Sequence, residues 1–446
     1  MGGLEGLPKP PALGGGPAEP GRPSTGHIVT RGFSMAPSLR TGPEPEEGMA
    51  KALDGIVVLD LTQYEAGPSC AQMLGWLGAD VIKIEPPGGE PGRRALSESP
   101  DLDAWFFLML NGNKKSVTLD LKTAEGRALL KKMVERGDVL IENFGPGSFE
   151  RLGFGYDDLR RMNPRIISAS VKGFGSTGPY ANYKSFEMIA QAMGGAMSVT
   201  GTADGPPTKV EAGLGDTGAG LHLAIGILAA IVQRQTTGVG QRIEVAQQDA
   251  VLNLVRIHFR EHYSTGKPVP RRGNRSPGGA PSNMYRCRPF GPNDYVFIHC
   301  ATLEMWKIFS KILGRPELGD DPTLADRMGR VARNDELDAL VEAWTEKRTK
   351  HEAMETLGAA GIPCGAVLDS GEVLTDPSLV QRGMVVDIEH PTRGRFPMPG
   401  NPVRMSDSPT EVTRAPLLGE HNAEVFGRWL GCSVDELTAL AKKKVI

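Results

Sequence analysis

Two short apolar runs separated by one helix constrain this chain more than anything else in it. Residues 56–61 (IVVLDL) are continuously apolar up to a closing Asp-Leu. Helical spacing follows over 69–77 and ends at Gly78, and residues 80–85 (DVIKIE) form a second apolar run. A run without polar alternation is buried on both faces, the condition of a strand inside a parallel sheet. Strand–helix–strand in that form begins a doubly wound α/β domain. The alternation continues. Thr123 caps a helix that closes at Gly137, and 138–142 (DVLIE) and 165–171 (RIISASV) are further strands. A long helix is predicted over 217–234, a strand over 241–245 and another helix from Asp249.

Residues 264–282 are rich in Gly, Pro and Arg and read as a linker. The predicted organisation is therefore a large domain from 49–263, the linker 264–282, a smaller domain over 283–382, and a return to the large domain over 383–446. In the smaller domain, strand patterns over 285–300 precede helical ones up to about Gly358. Residues 383–402 carry few periodic signals and read as an extended crossing. Residues 1–48, crowded with Gly and Pro, lack the regions of a secretory signal and read as a disordered extension or an early start assignment ahead of Met49.

Composition narrows the partners. A chain of 446 residues with a net charge of -3 has no basic field for a nucleic-acid backbone. Its five cysteines, Cys70, Cys287, Cys300, Cys364 and Cys432, are scattered and form no CxxC pair. That predicts a reducing compartment, the cytoplasm, and neither a disulfide framework nor a zinc cluster. The longest greasy stretch, around 221–232, is too short to span a bilayer.

Three constellations could carry chemistry. The first is Gly213-Leu-Gly-Asp216-Thr-Gly-Ala-Gly220, ahead of the long apolar helix. Gly213, Gly215 and Gly218 fit GxGxxG, a nicotinamide-enzyme pattern, but a carboxylate at the helix mouth would repel a pyrophosphate and the motif falls late in the domain. Asp216 is either an N-cap or a nucleophile kept ionised by the helix N-terminus and the glycine N–H groups. The second is His258-Phe-Arg-Glu261-His262, which matches the HxxEH of a zinc hydrolase or is simply a polar helix face. The third is Arg271, Arg272 and Arg275 with Gly273, Gly278 and Gly279. It reads as a solvated linker, or as a mobile loop that closes over a reacting centre with cations for phosphate or carboxylate.

From about Leu53 onward the chain resembles the class III CoA-transferases (CaiB/BaiF type). The matching segments are GIVVLDLT, AGPSCAQMLGWLGADVIKIE, NKKSVTLDLKT, ENFGPG, LGFGYDDL, NPRIISASVKGFG, QAMGGAMSVTG, DGPPTKV, GDTGAGLHLAIGILAA, GQRIEVAQQDAVLNL, DPSL and RAPLLGEH. Within that family it is most similar to the formyl-CoA:oxalate transferases. The resemblance implies a Rossmann-like large domain, a smaller α+β middle domain, and a homodimer of interlocked rings. It implies no tightly bound cofactor, a CoA thioester and a carboxylic acid as substrates, and no metal. The family nucleophile falls on Asp216. Contacts to CoA fall on Gln63, Tyr64, Leu119, Asn143, Phe144, Arg151 and Lys184, and the glycine loop on Gly278 and Gly279.

The chain departs from the formyl-CoA:oxalate pattern at its acid end. Glu65 stands where a glutamine is usual, Phe186 where a tyrosine is usual, and Pro86 where an arginine is usual, while SPGGAP replaces a run of four glycines. Phe186 also occupies the place of the histidine found in the related α-methylacyl-CoA racemases. A ring without a titratable group cannot supply the acid/base partner that α-proton exchange needs.

Overall fold

The computed structural model describes residues 50–446, so the predicted extension over 1–48 lies outside the described residues. Six parallel strands form the main sheet: β1 (Val57–Asp60), β2 (Asp80–Glu85), β3 (Lys114–Thr118), β4 (Val139–Glu142), β5 (Ile167–Lys172) and β6 (Arg242–Ala246). Their spatial order is β3-β2-β1-β4-β5-β6, the doubly wound order in which connections diverge between β1 and β4. Alternate residues explain the continuous apolar runs. Val58, Val81 and Ile141 enter one core with helices Ala66–Trp76 and Thr217–Thr237. Leu59, Ile82 and Leu140 enter the opposite core with helix Ala124–Arg136.

The strands predicted for the large sheet all form, within two residues of their expected ends, while the first strand of the smaller domain begins at Ser282, inside the segment read as linker. The first helix begins at Ala66 rather than at residue 69, because Pro68 lies in its first turn, where no intrahelical N–H is required. The long apolar helix is also longer than expected. Thr217–Thr237 has the length and composition to cross a membrane, correcting the shorter stretch read from sequence, but one side is packed in the core. Gly220 sets that packing. A Cβ there would lie 2.3 Å from Ser69 Oγ and 2.5 Å from the Ala66 carbonyl, so only glycine lets the two helices approach this closely.

Beyond the large sheet, β7 (Ser282–Arg286), β8 (Tyr295–His299) and β9 (Cys364–Ala366) form an antiparallel sheet. Its core is Trp306, Phe309, Leu337, Val341 and Trp344 from the intervening helices. The segment read as an extended crossing is instead a hairpin of β10 (Val385–His390) and β11 (Gly394–Pro399). Prolines 397 and 399 obscured it, but a two-stranded ribbon has only edge strands, where proline is tolerated. The C-terminal residues then return to the parallel sheet. Asn422 brackets Thr118 on β3, accepting from its N–H at 2.9 Å and donating to its hydroxyl at 2.8 Å, and Val425, Phe426 and Leu430 are buried in the second core. All five cysteines are unpaired.

The arginine-rich segment 271–275 is tied to the fold by its side chains, and two of its three cations are ion-paired. Arg271 donates to the Gly205 carbonyl at 2.8 Å, Arg272 pairs with Glu261 at 2.5 Å, and Arg275 pairs with Asp335 at 2.7 Å and Asp338 at 2.9 Å. These contacts fasten the connection at both ends.

Candidate active site

The site is built where the strand order reverses. Beyond the carboxyl end of β1, the Gln63 N–H donates to Asn143 Oδ1 at 2.9 Å, and Asn143 Nδ2 returns a bond to the Gln63 carbonyl at 2.8 Å. This reciprocal pair clamps the loops after β1 and β4 across the crevice in which open α/β sheets bind ligands. Next in the chain, Tyr64 adopts a left-handed backbone (φ 63°), with its N–H held by Glu90 Oε2 at 3.1 Å. Its ring meets the exposed ring of Phe186 edge-on, 6.2 Å between centroids.

The turn at Tyr64 delivers Glu65 to the head of helix Ala66–Trp76, facing the GLGDTGAG segment. Glu65 Oε1 accepts from the Thr217 hydroxyl at 2.8 Å. A Cβ on residue 213 would lie 2.2 Å from that oxygen, so Gly213 makes the room for Glu65.

Asp216 occupies the N-cap position of helix Thr217–Thr237, yet its side chain makes no capping hydrogen bond. The N–H of Gly218, in the first turn, is taken by the Gly213 carbonyl at 2.8 Å, and the N–H groups leading into the helix are taken by a second carboxylate. Glu187, at the start of helix Glu187–Met193, accepts from the Asp216 N–H at 2.6 Å and the Gly215 N–H at 3.1 Å, and is steadied by Gln191 Nε2 at 2.7 Å. The half-buried Asp216 carboxylate has one partner among the described residues: Gln247 Nε2 donates to Oδ1.

The nucleophile reading of Asp216 drew on glycine N–H groups to keep it ionised, and Glu187 takes two of the N–H groups at this helix mouth. Burial comes first and the negative charges of Glu65 and Glu187 follow; together they push Asp216 from 3.8 up to about 7, against the hydrogen bond from Gln247.

The remaining candidates are distributed as follows. Phe144 stacks on Phe149 at 5.6 Å, and Arg151, exposed at the end of the next short helix, bonds Ser148 Oγ at 2.8 Å. Lys184 is exposed and has no ion-pair partner among the described residues. Leu119 is buried in the second core. Gly278 and Gly279 are neighboured by Ser276, Cys300 and Ala301 rather than by the Asp216 loop. The HxxEH stretch is split between a 3-10 turn ending at His258 and a separate helix, and its glutamate is taken by Arg272. No group of three potential metal ligands occurs among the described residues. The GxGxxG glycines follow an excursion of two short helices after β5, with carboxylates at the helix mouth where a pyrophosphate would sit.

Sequence reasoning missed Glu187 and Gln247. Both lie about thirty residues from Asp216, one following the Phe186 position and the other at the junction of β6 with the next helix. The only available cue was that a helix begins at the carboxyl edge of the sheet at each place.

Fold and site together define a doubly wound α/β enzyme centred on a cluster of carboxylates. Residues 53–422 match the sequence profile of CoA-transferase family III. A formyl-CoA:oxalate CoA-transferase of Streptomyces avermitilis is 48% identical over 411 residues, spanning 89% of this chain and 100% of its own. Another, of Rhodopseudomonas palustris, is 44% identical over 405 residues, spanning 86% and 95%. The crystal structure of a CAIB/BAIF family protein from Brucella suis superposes with a TM-score of 0.76 at 34% identity, over 85% of this chain and 99% of that one. The chain belongs to CoA-transferase family III. It is a transferase that acts on CoA thioesters.

Proposed function

We propose that the enzyme moves CoA from an acyl-CoA donor to a free carboxylic acid by double displacement at Asp216. The observation that carries this reading is a helix-mouth carboxylate that caps nothing and keeps Oδ2 without a partner among the described residues. Asp216 attacks the thioester carbonyl, the C–S bond breaks, and a mixed anhydride forms with release of CoA thiolate. The thiolate attacks the aspartyl carbonyl and expels the donor acid, leaving CoA on Asp216. The acceptor acid reverses both steps. A pKa near 7 leaves a large ionised fraction at neutral pH, and the ionised carboxylate is more basic than an ordinary one.

Formyl-CoA and oxalate are the pair named for the relatives and the first to test; a succinyl-CoA/dicarboxylate pair is the second. Glu65 and Phe186 surround the acid end, and Phe186 has no group with which to exchange an α-proton, which disfavours racemisation. A panel of acyl-CoA donors against mono- and dicarboxylic acids, read by mass spectrometry, tests the reading. Failure of every pair to exchange CoA would overturn it.

In the proposed complex the clamped loops of Gln63, Tyr64, Asn143 and Phe144 hold the CoA chain, with Leu119 beneath them, and Arg151 and Lys184 meet its phosphates. Gly278 and Gly279 close over the acyl group as substrate binds. Lys184→Ala and Arg151→Ala are each expected to raise KM for acyl-CoA about tenfold with little change in the KM of the acid, since a surface cation on a phosphate contributes mainly ground-state binding. Steady-state kinetics with each substrate varied checks this. A rise confined to the acid KM would remove both residues from the CoA site.

We infer a homodimer of interlocked rings, formed by the large domain, the linker, the smaller domain and the returning tail. Leu221, Ile225, Val232, Leu252, Leu254 and Ile257 present an exposed apolar surface on and beside the long helix, which a second copy would cover. Unpaired thiols at all five cysteines suit the cytoplasm. A monomeric mass by light scattering would contradict the dimer.

A further inference from the structure

The hydrogen bond from Gln247 makes the two oxygens of Asp216 unequal. Gln247 is 7% exposed, at the first position of the helix that follows β6, and its side-chain amide donates to Oδ1. Oδ2 has no such partner among the described residues. Burial and the helix start leave the amide little freedom to follow the carboxylate if it turned. On the other side Thr217, next in the chain, is tied to Glu65, and the Asp216 N–H is tied to Glu187, so the loop carrying the carboxylate is held as well.

We propose that Gln247 is a catalytic residue: it holds Oδ1 as the permanent carbonyl oxygen, makes Oδ2 the attacking atom, and donates to the oxyanion formed on Oδ1. The proposal rests on Asp216 being the nucleophile. When Oδ2 bonds to the acyl carbon, the thiolate leaves with the C–S electron pair. The thiolate then adds to Asp216 Cγ, and the carbonyl electrons move onto Oδ1, where the Gln247 N–H lies. Collapse of that adduct breaks the Cγ–Oδ2 bond, and the donor acid departs carrying Oδ2. The acceptor acid later adds one of its own oxygens to Cγ, again with charge on Oδ1, and after transfer that oxygen remains on Asp216 as the new Oδ2. Every complete cycle therefore exchanges one aspartate oxygen, and Gln247 fixes which one. A donor aimed at a developing oxyanion typically contributes 10²–10³-fold in rate.

The test uses the full chain in unlabelled water. It is turned over many times with formyl-CoA and succinyl-CoA in the presence of formate, oxalate and succinate labelled with oxygen-18. The peptide carrying Asp216 is then weighed. The expected result is one oxygen-18 atom on Asp216 and no more, however many cycles have passed. Two labelled oxygens would show that the carboxylate turns between cycles and would overturn the role of Gln247 while leaving the nucleophile intact. Turnover with no label on Asp216 would overturn the nucleophile itself. In Gln247→Met, which keeps the bulk and removes the donor, kcat is expected to fall roughly 10²–10³-fold with acyl-CoA KM little changed, and the second oxygen to become labelled. An unchanged kcat with a single labelled oxygen would contradict the proposal. The wild-type count stands whether or not that variant folds.

Discussion

Asp216→Asn is expected to lower CoA transfer by on the order of 10⁴-fold or more, because an amide in place of the carboxylate cannot form the proposed acyl intermediate. The same change should leave the protein more stable at alkaline pH. Burial and the neighbouring carboxylates raise Asp216 from 3.8 to about 7 in the folded chain, so the fold binds this proton more tightly than the unfolded chain does. Its contribution to stability is thus greatest below pH 3.8 and is lost as pH rises through about 7. An uncharged amide does not pay this penalty, and the gain at pH 8 should be on the order of 1–2 kcal/mol after allowance for solvent at this half-buried site. Activity assays and denaturant melts at pH 5 and pH 8 check both halves. Substantial turnover in the variant, or a loss of stability at pH 8, would contradict the charge environment described for Asp216.

Glu65→Gln is expected to change both the pH profile and the preferred acid. Glu65 has the stronger effect of the two negative charges that raise the pKa of Asp216, so removing its charge lowers that pKa. The rising limb of the kcat/KM profile, which lies near pH 7 if ionised Asp216 is the attacking form, should move to lower pH. Glutamine can still accept from the Thr217 hydroxyl, so the geometry should survive. With one negative charge fewer beside the acyl position, small dianions such as oxalate should gain about tenfold over monocarboxylates in kcat/KM. The check is kcat/KM for several acids across pH 5–8 in both forms. An unmoved limb together with an unchanged ranking would place Glu65 outside the acid's field and shift the origin of specificity to Phe186.

The two cases show what the order of residues conveys and what it withholds. Strands β1, β2, β4 and β5 are legible because burial on both faces leaves runs such as VVLD and VLIE with no polar alternation. β3 reads KKSVT and has no continuous apolar run to mark it as a strand, yet Lys114 is buried, with Nζ 2.9 Å from Asp60 Oδ2 and from the Pro68 carbonyl. Its partner sits at the end of a strand that was recognised, but nothing local says that the two meet. Asp216 was legible at a helix mouth because glycines surround it and an apolar helix follows. Its charge state was not, since Glu65, Glu187 and Gln247 arrive from three separate segments and convert an expected anion into a group that titrates near neutrality. Glu187 also takes the Gly215 and Asp216 N–H groups ahead of the helix, a contact visible only in three dimensions. The two readings of the arginines of 271–275 could not be separated for the same reason, because the partners that pair with Arg272 and Arg275, Glu261, Asp335 and Asp338, come from other elements.

Covalent attachment at Asp216 is the central claim, and it is most directly tested by quenching the enzyme with acyl-CoA in the absence of acceptor acid, then weighing its peptides. The expected result is a CoA thioester on the peptide carrying Asp216, released by hydroxylamine or by adding the acceptor, and missing from Asp216→Asn. An adduct on any other residue, or steady turnover with no adduct on that peptide, would contradict it.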